Sequence, residues 1–94
     1  MSRSRAQRIK DELQRELAPR VLDVIDESHL HEGHPGAQDG KGHFRVSIVS
    51  DRFEGLNHLA RHRLVFSILD ELMRTDIHAL SIEAATPAEH SPIT

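Results

Sequence analysis

Residues His43 to Ser50 read HFRVSIVS, and their alternation decides the architecture. Phe44, Val46 and Ile48 point one way, while His43, Arg45 and Ser47 point the other. That is the period of a strand with one face buried and one face wet. Upstream, RVLDVIDES (Arg20 to Ser28) is rich in Val and Ile and reads as a second strand. Four glycines and a proline between Gly33 and Gly42 make the intervening stretch a loop, so the two strands pair most simply as an antiparallel hairpin. Before them, Ala6, Ile9, Leu13 and Leu17 form one stripe of a helix over Ser2 to Ala18. Ser2 or Ser4 caps its start and Pro19 stops it.

Downstream, Asp51 to Gly55 is a turn, and the pattern is helical from Asn57 to about Arg74. Its broad stripe of Leu64, Val65, Ile68, Leu69, Leu72 and Met73 suits packing on a sheet. A separate short helix around Asn57–Ala60 is an open alternative. IHALSIEA (Ile77 to Ala84) is a third strand, with Leu80, Ile82 and Ala84 on one face. Counting by twos puts His78 on that same face. The residues after Thr86 hold two prolines and are expected to be loose. The order is therefore α-β-β-α-α-β: one α+β domain over residues 1–86 with a flexible tail at 87–94.

The chain has 94 residues, too few for a second core. It has no cysteine, which excludes disulfides, thiol catalysis and metal sites made of thiolates alone. Its formal charge is −3 with eight neutral histidines, and −3 + 8 = +5 if all were protonated. That balance argues against a strongly basic nucleic-acid binder. No stretch is long and apolar enough to span a bilayer, so a cytoplasmic protein is the expectation.

Chemistry concentrates in DESHLHEGHPGAQDGKGHF, Asp26 to Phe44, which carries His29, His31, His34 and His43. His29 and His31 share a side of an extended chain, a spacing used by zinc sites, yet loop histidines are commonly just solvated. His78, at the start of the last strand, is either a hydrogen-bonded, half-buried residue or a ligand on a rigid element. Iron–sulfur clusters are usually held by four thiolates, and in a minority form two imidazoles replace two of them. A chain without thiolates could hold such a cluster only with another molecule supplying them.

The segments DESHLH, HFRVSIVSDRFEGL, ARHRLVFSILDEL and HALSIEAATP resemble those of the BolA family, in order, over roughly Ala6 to Pro87. VSDRFEG, RHRLV and HAL are specific in combination and weak singly. The resemblance implies an α-β-β-α-α-β fold with a three-stranded mixed sheet, related to KH domains. It also implies partnership with a monothiol glutaredoxin, the two proteins sharing a bridging 2Fe–2S cluster. In that arrangement the glutaredoxin cysteine and glutathione give sulfur. The BolA-like side gives a histidine from the start of the last strand and a ligand from the loop between the first two. The first falls on His78. For the second, His31 matches the histidine that often follows DES, His43 matches the one beginning the second strand, and His34 lies in a longer stretch. The expected order is His78, then His31, with His34 and His43 as rivals.

DNA binding is the alternative, since some BolA-like proteins are described as transcriptional regulators. Arg61, His62 and Arg63 could touch phosphate; a solvated helix start, with His62 or Arg63 pairing with acids, is the plainer reading. Gly33-His34-Pro35-Gly36 is a literal GxxG, but it lies in the strand–strand loop, and proline removes a backbone donor. No nucleophile sits on a strained, glycine-flanked turn, and Asp26-Glu27 and Asp70-Glu71 are adjacent pairs suited to solvated faces, so no catalysis is expected. An edge strand and exposed Leu or Ile are compatible with weak self-association.

Overall fold

The computed structural model describes residues 3–28 and 42–90. Helix α1 (Arg5–Leu17) forms where expected. The Ser4 hydroxyl accepts the Gln7 N–H at 3.1 Å, and Ile9, Leu13 and Leu17 are buried on one stripe. The helix ends as Ala18 turns left-handed at φ 42°, its N–H still donating to the Gln14 carbonyl, just before Pro19.

Strand β1 (Val21–Asp26) pairs antiparallel with β2 (Gly42–Val49), and β2 pairs parallel with β3 (Ile77–Ala85), giving the order β1-β2-β3. The sheet is thus mixed and three-stranded. β2 is central, with Phe44, Val46 and Ile48 all buried. Against that face pack Ile9, Leu13 and Leu17 of α1, together with Val65 and Leu69. Parallel neighbours need a crossover long enough to return the chain to the same end. Here it runs through a 3₁₀ turn (Asp51–Phe53), α2 (His58–Ile68) and α3 (Asp70–Thr75).

Asn57 caps α2, its Oδ1 accepting the Ala60 N–H at 2.8 Å, so no separate helix occupies Asn57–Ala60. The break falls instead at Leu69, which leaves helical geometry at φ −93°, ψ 12° while its side chain stays wholly buried. Both halves of the expected stripe still face the core: Val65 and Leu69 lie in it, and Leu64, Ile68, Leu72 and Met73 pack against it.

The tail expected to be loose from Pro87 is held as far as His90; residues 91–94 lie outside the described residues. Glu89 and Thr86 bond reciprocally: the Thr86 N–H donates to Glu89 Oε1 at 2.9 Å, and the Glu89 N–H to Thr86 Oγ1 at 3.3 Å. The Glu89 carboxylate also receives both terminal nitrogens of Arg61, at 2.6 and 3.0 Å. Arg61, only 5% exposed, donates further to the carbonyls of Leu56 and Ala84. One guanidinium thus ties the α2 start, the end of β3 and the terminal turn together.

The Arg61 contact, then the Thr86 backbone N–H, hold the Glu89 carboxyl at about 2, down from 4.5. A carboxylate favoured in the folded state contributes stability above its unfolded value, and loses it as pH falls through its folded value. Glu89→Gln therefore lowers stability at neutral pH, and its gap from the wild type narrows as pH falls from 4.5 toward 2. Urea unfolding at pH 7, 4 and 2.5 measures this; a gap independent of pH would contradict the assignment.

Candidate metal-binding site

The neck of the β1–β2 hairpin is built by the residues DES, Asp26 to Ser28. Asp26 Oδ1 accepts the Ser28 N–H at 2.9 Å, which turns the chain out of β1. Ser28 Oγ then accepts the His43 N–H at 3.0 Å, and the Glu27 N–H donates to the His43 carbonyl at 2.8 Å. Both backbone groups of His43 are therefore fixed, and its ring sits half-buried with Nε2 out of contact with solvent.

His78 lies beside it. The ring centroids of His43 and His78 are 5.1 Å apart, with ring planes at 51°. Parity had placed His78 on the face of Leu80 and Ile82, and the register corrects that. Gly42 pairs with Ile77, but His43 pairs with Ala79, so His78 is an extra residue in the β3 ladder. Such a bulge re-aims the side chains around it. Ile77 on one side and Leu80, Ile82 and Ala84 on the other all reach the core, while His78 is exposed.

Asp76 precedes this bulge and is buried, at 8% exposure. Its Oδ1 receives the Thr75 hydroxyl at 2.5 Å, and its Oδ2 receives Arg8 and, at 3.3 Å, Arg5 Nε. The Thr75 hydroxyl first, and then the arginine charges, hold the Asp76 carboxyl below the usual carboxylate range against the opposing effect of burial.

Of the candidate ligands, the structure brings His43 and His78 together; His29, His31 and His34 lie outside the described residues. Among the described residues no cluster of three or more His, Asp or Glu could hold a metal ion. Among the described residues the donor set is thus two imidazoles on adjacent strands, one of them open to solvent. Two imidazoles on one tetrahedral ion, with bonds of about 2.0–2.1 Å, carry their ring centroids about 5 Å apart. The observed separation fits that requirement, and the remaining ligands would come from elsewhere.

The candidate phosphate contacts do not form a patch. Arg61 is turned inward and neutralised by Glu89, which corrects the reading of it as a phosphate contact. His62 is half-buried and lines a shallow cleft with His58 and His90, while Arg63 is exposed on another side of the helix. The Arg61–Glu89 clamp was missed in the sequence, although Thr86-Pro87-Ala88-Glu89 is a capping-box pattern with proline at the first position, a detectable signal.

The model of the BolA-like protein family matches residues 13–89, and the chain belongs to that family. It is 47% identical over 89 residues to Protein BOLA1, chloroplastic, of Arabidopsis thaliana, covering 92% of this chain and 56% of the relative. It therefore spans only a little over half of that protein. It is 40% identical over 83 residues to the DNA-binding transcriptional regulator BolA of Escherichia coli (strain K12), covering 88% of this chain and 76% of that one. The solved structure of BolA1 from Arabidopsis thaliana superposes with a TM-score of 0.81 at 43% identity, covering 97% of this chain and all of that one. The α+β order and mixed sheet expected from sequence agree with that fold.

Gly42 allows the neck to close. A Cβ there would lie 2.6 Å from Cε2 of the buried Phe44 and 2.7 Å from Ser28 Oγ, the atom that receives the His43 N–H. Gly42→Ala is expected to cost about 1–3 kcal/mol through overpacking. Chemical denaturation measures the loss, and the largest amide shift changes should fall on Ser28, His43 and Phe44.

Proposed function

We propose that this protein is a non-enzymatic accessory factor of iron–sulfur cluster trafficking or iron sensing. It contributes imidazole ligands to a 2Fe–2S cluster shared with a monothiol glutaredoxin and glutathione. The observation that carries this reading is the His43–His78 pair: two rings 5.1 Å apart on adjacent strands, in a chain that has no cysteine. A chain that offers imidazoles but no thiolate must borrow sulfur, so the cluster lies at an interface and joins two proteins. His78 is the first ligand, and His43, whose backbone the hairpin neck fixes, is the second. His31 and His34, between β1 and β2 in the sequence, are the rivals. A cytoplasmic setting suits glutathione as co-ligand.

A bound cluster with mixed nitrogen and sulfur ligands has a higher reduction potential than one held by thiolates alone. Ligating imidazoles must be neutral, so occupancy falls on acidification. Mixing the protein with a monothiol glutaredoxin, glutathione, iron and sulfide should give a visible spectrum different from that of the glutaredoxin alone. His78→Ala should abolish the difference and His43→Ala should weaken it at least severalfold, whereas His31→Ala and His34→Ala should leave it. An unchanged spectrum and stability in the His78→Ala mixture would defeat the proposal.

The Escherichia coli relative supplies a second reading, DNA binding. Against it stand the net charge of −3 and the internal neutralisation of Arg61. Phosphate-driven binding weakens steeply with salt as counterions are released. A mobility-shift titration between about 50 and 200 mM salt is expected to show no salt-sensitive complex, and a clear one would favour this second reading.

A further inference from the structure

We propose that Asp76 is a positioning residue: by tying the start of β3 to α1, it selects the bulged register that turns His78 toward His43. Its consequence for metal binding rests on the function proposed above; the geometry rests on contacts within the chain alone.

Two unbulged registers compete with the observed one. Carrying the Gly42–Ile77 pairing forward would set Phe44 against Ala79 and Val46 against Ser81, turning Leu80, Ile82 and Ala84 out of the core. Their packing against or within the core excludes it. Carrying the Phe44–Leu80 pairing backward instead would set Gly42 against His78. That register turns Ile77 outward and His78 inward, the arrangement that simple parity suggests. It keeps almost the whole ladder and moves only the first residues of β3, by one place.

Asp76 opposes that movement from several directions. Its N–H donates to the Leu72 carbonyl at 2.7 Å, closing α3, and its carbonyl receives the Gly42 N–H at 2.9 Å, opening the β2–β3 pairing. Its carboxylate is held by Arg5 and Arg8, one helical turn apart on α1. A one-place slide of β3 would draw the carboxylate about 3.3 Å along the strand, away from arginines fixed by a helix whose Ile9 and Leu13 are wholly buried. The buried Asp76 carboxylate, paired with two partly exposed arginines, therefore discriminates between two nearly equivalent registers, and fixing register is the best-attested use of ionic groups buried in a fold.

The test measures nuclear Overhauser contacts between the imidazole protons of His43 and His78, and exchange of the Gly42 amide, in the free protein. Asp76→Ala should lose the ring contact and speed Gly42 exchange by about tenfold or more. The Arg5→Gln/Arg8→Gln double variant, which leaves β3 untouched, should do the same. Glu89→Gln, which weakens the far end of β3, should keep both signals, separating positioning from general destabilisation. In the glutaredoxin mixture, Asp76→Ala should change the shape of the visible circular dichroism, and Glu89→Gln should not. An intact ring contact and protected Gly42 in folded Asp76→Ala would overturn the inference; if that variant does not fold, the same result in the double arginine variant overturns it. If the wild type forms no cluster with glutaredoxin, the proposed function fails, while the ring contact still decides the role of Asp76.

Discussion

The fold depends on the pleat of β2. This strand is hydrogen-bonded on both sides, antiparallel to β1 and parallel to β3, so its side-chain alternation is imposed on the whole sheet. Burying Phe44, Val46 and Ile48 on one side leaves His43 and Arg45 on the other. Every helix that packs on the sheet must then use the same side, and the opposite face remains available for polar chemistry. Local propensity could not achieve this alone, because parallel pairing with β3 yields nothing until the crossover through α2 and α3 is complete.

Ion pairs act at the two ends of β3 in parallel ways. At the start, Asp76 links the strand to α1; at the end, Arg61 links it to α2 and the terminal turn. In each case a mostly buried charge is surrounded by several hydrogen-bonding partners, as desolvation demands. Removing one partner of such a group strands the other, so these pairs define where the strand starts and stops more than they add to total stability. The core residues between them are interchangeable hydrocarbons by comparison. A domain of this size, with few large side chains, benefits from having its one parallel strand anchored by direction-specific contacts.

What could be read from the sequence followed from burial being periodic. The stripe of Ile9, Leu13 and Leu17, the alternation of β2 and the broad face of the second helical region all survive in the structure because each repeats without interruption. The features that escaped are single-residue departures from a period. Leu69 breaks the helix although leucine is a good helix former, and the apolar stripe runs across the break undisturbed. The bulge at His78 reverses the parity of Ile77 and His78 in a strand that otherwise alternates. Arg61 at the start of a helix reads as solvated because its partner lies 28 positions away. The candidate site was legible in part: His78 stood out through resemblance, whereas His43 was one of three hairpin rivals. Only the ladder shows that the hairpin neck and the bulge bring those two rings together.

That both rings sit at the ends of strands has a chemical consequence. A complete metal site inside one chain binds its ion with an affinity set by its own fold and ligands. Two imidazoles with one edge open to solvent form an incomplete shell, whose affinity depends on what another molecule brings. Such a shell is weak alone and strong in a complex, because the second protein's ligands arrive already organised and the ordering cost on this side has been met in folding. Rigid placement of His43 and His78 is therefore compatible with reversible occupancy: the scaffold is permanent, and the proposed coordination need not be. Under the function proposed above, a site built this way would respond to the presence of its partner rather than to the metal alone, which is the property required of a protein that receives or senses a cluster instead of using one.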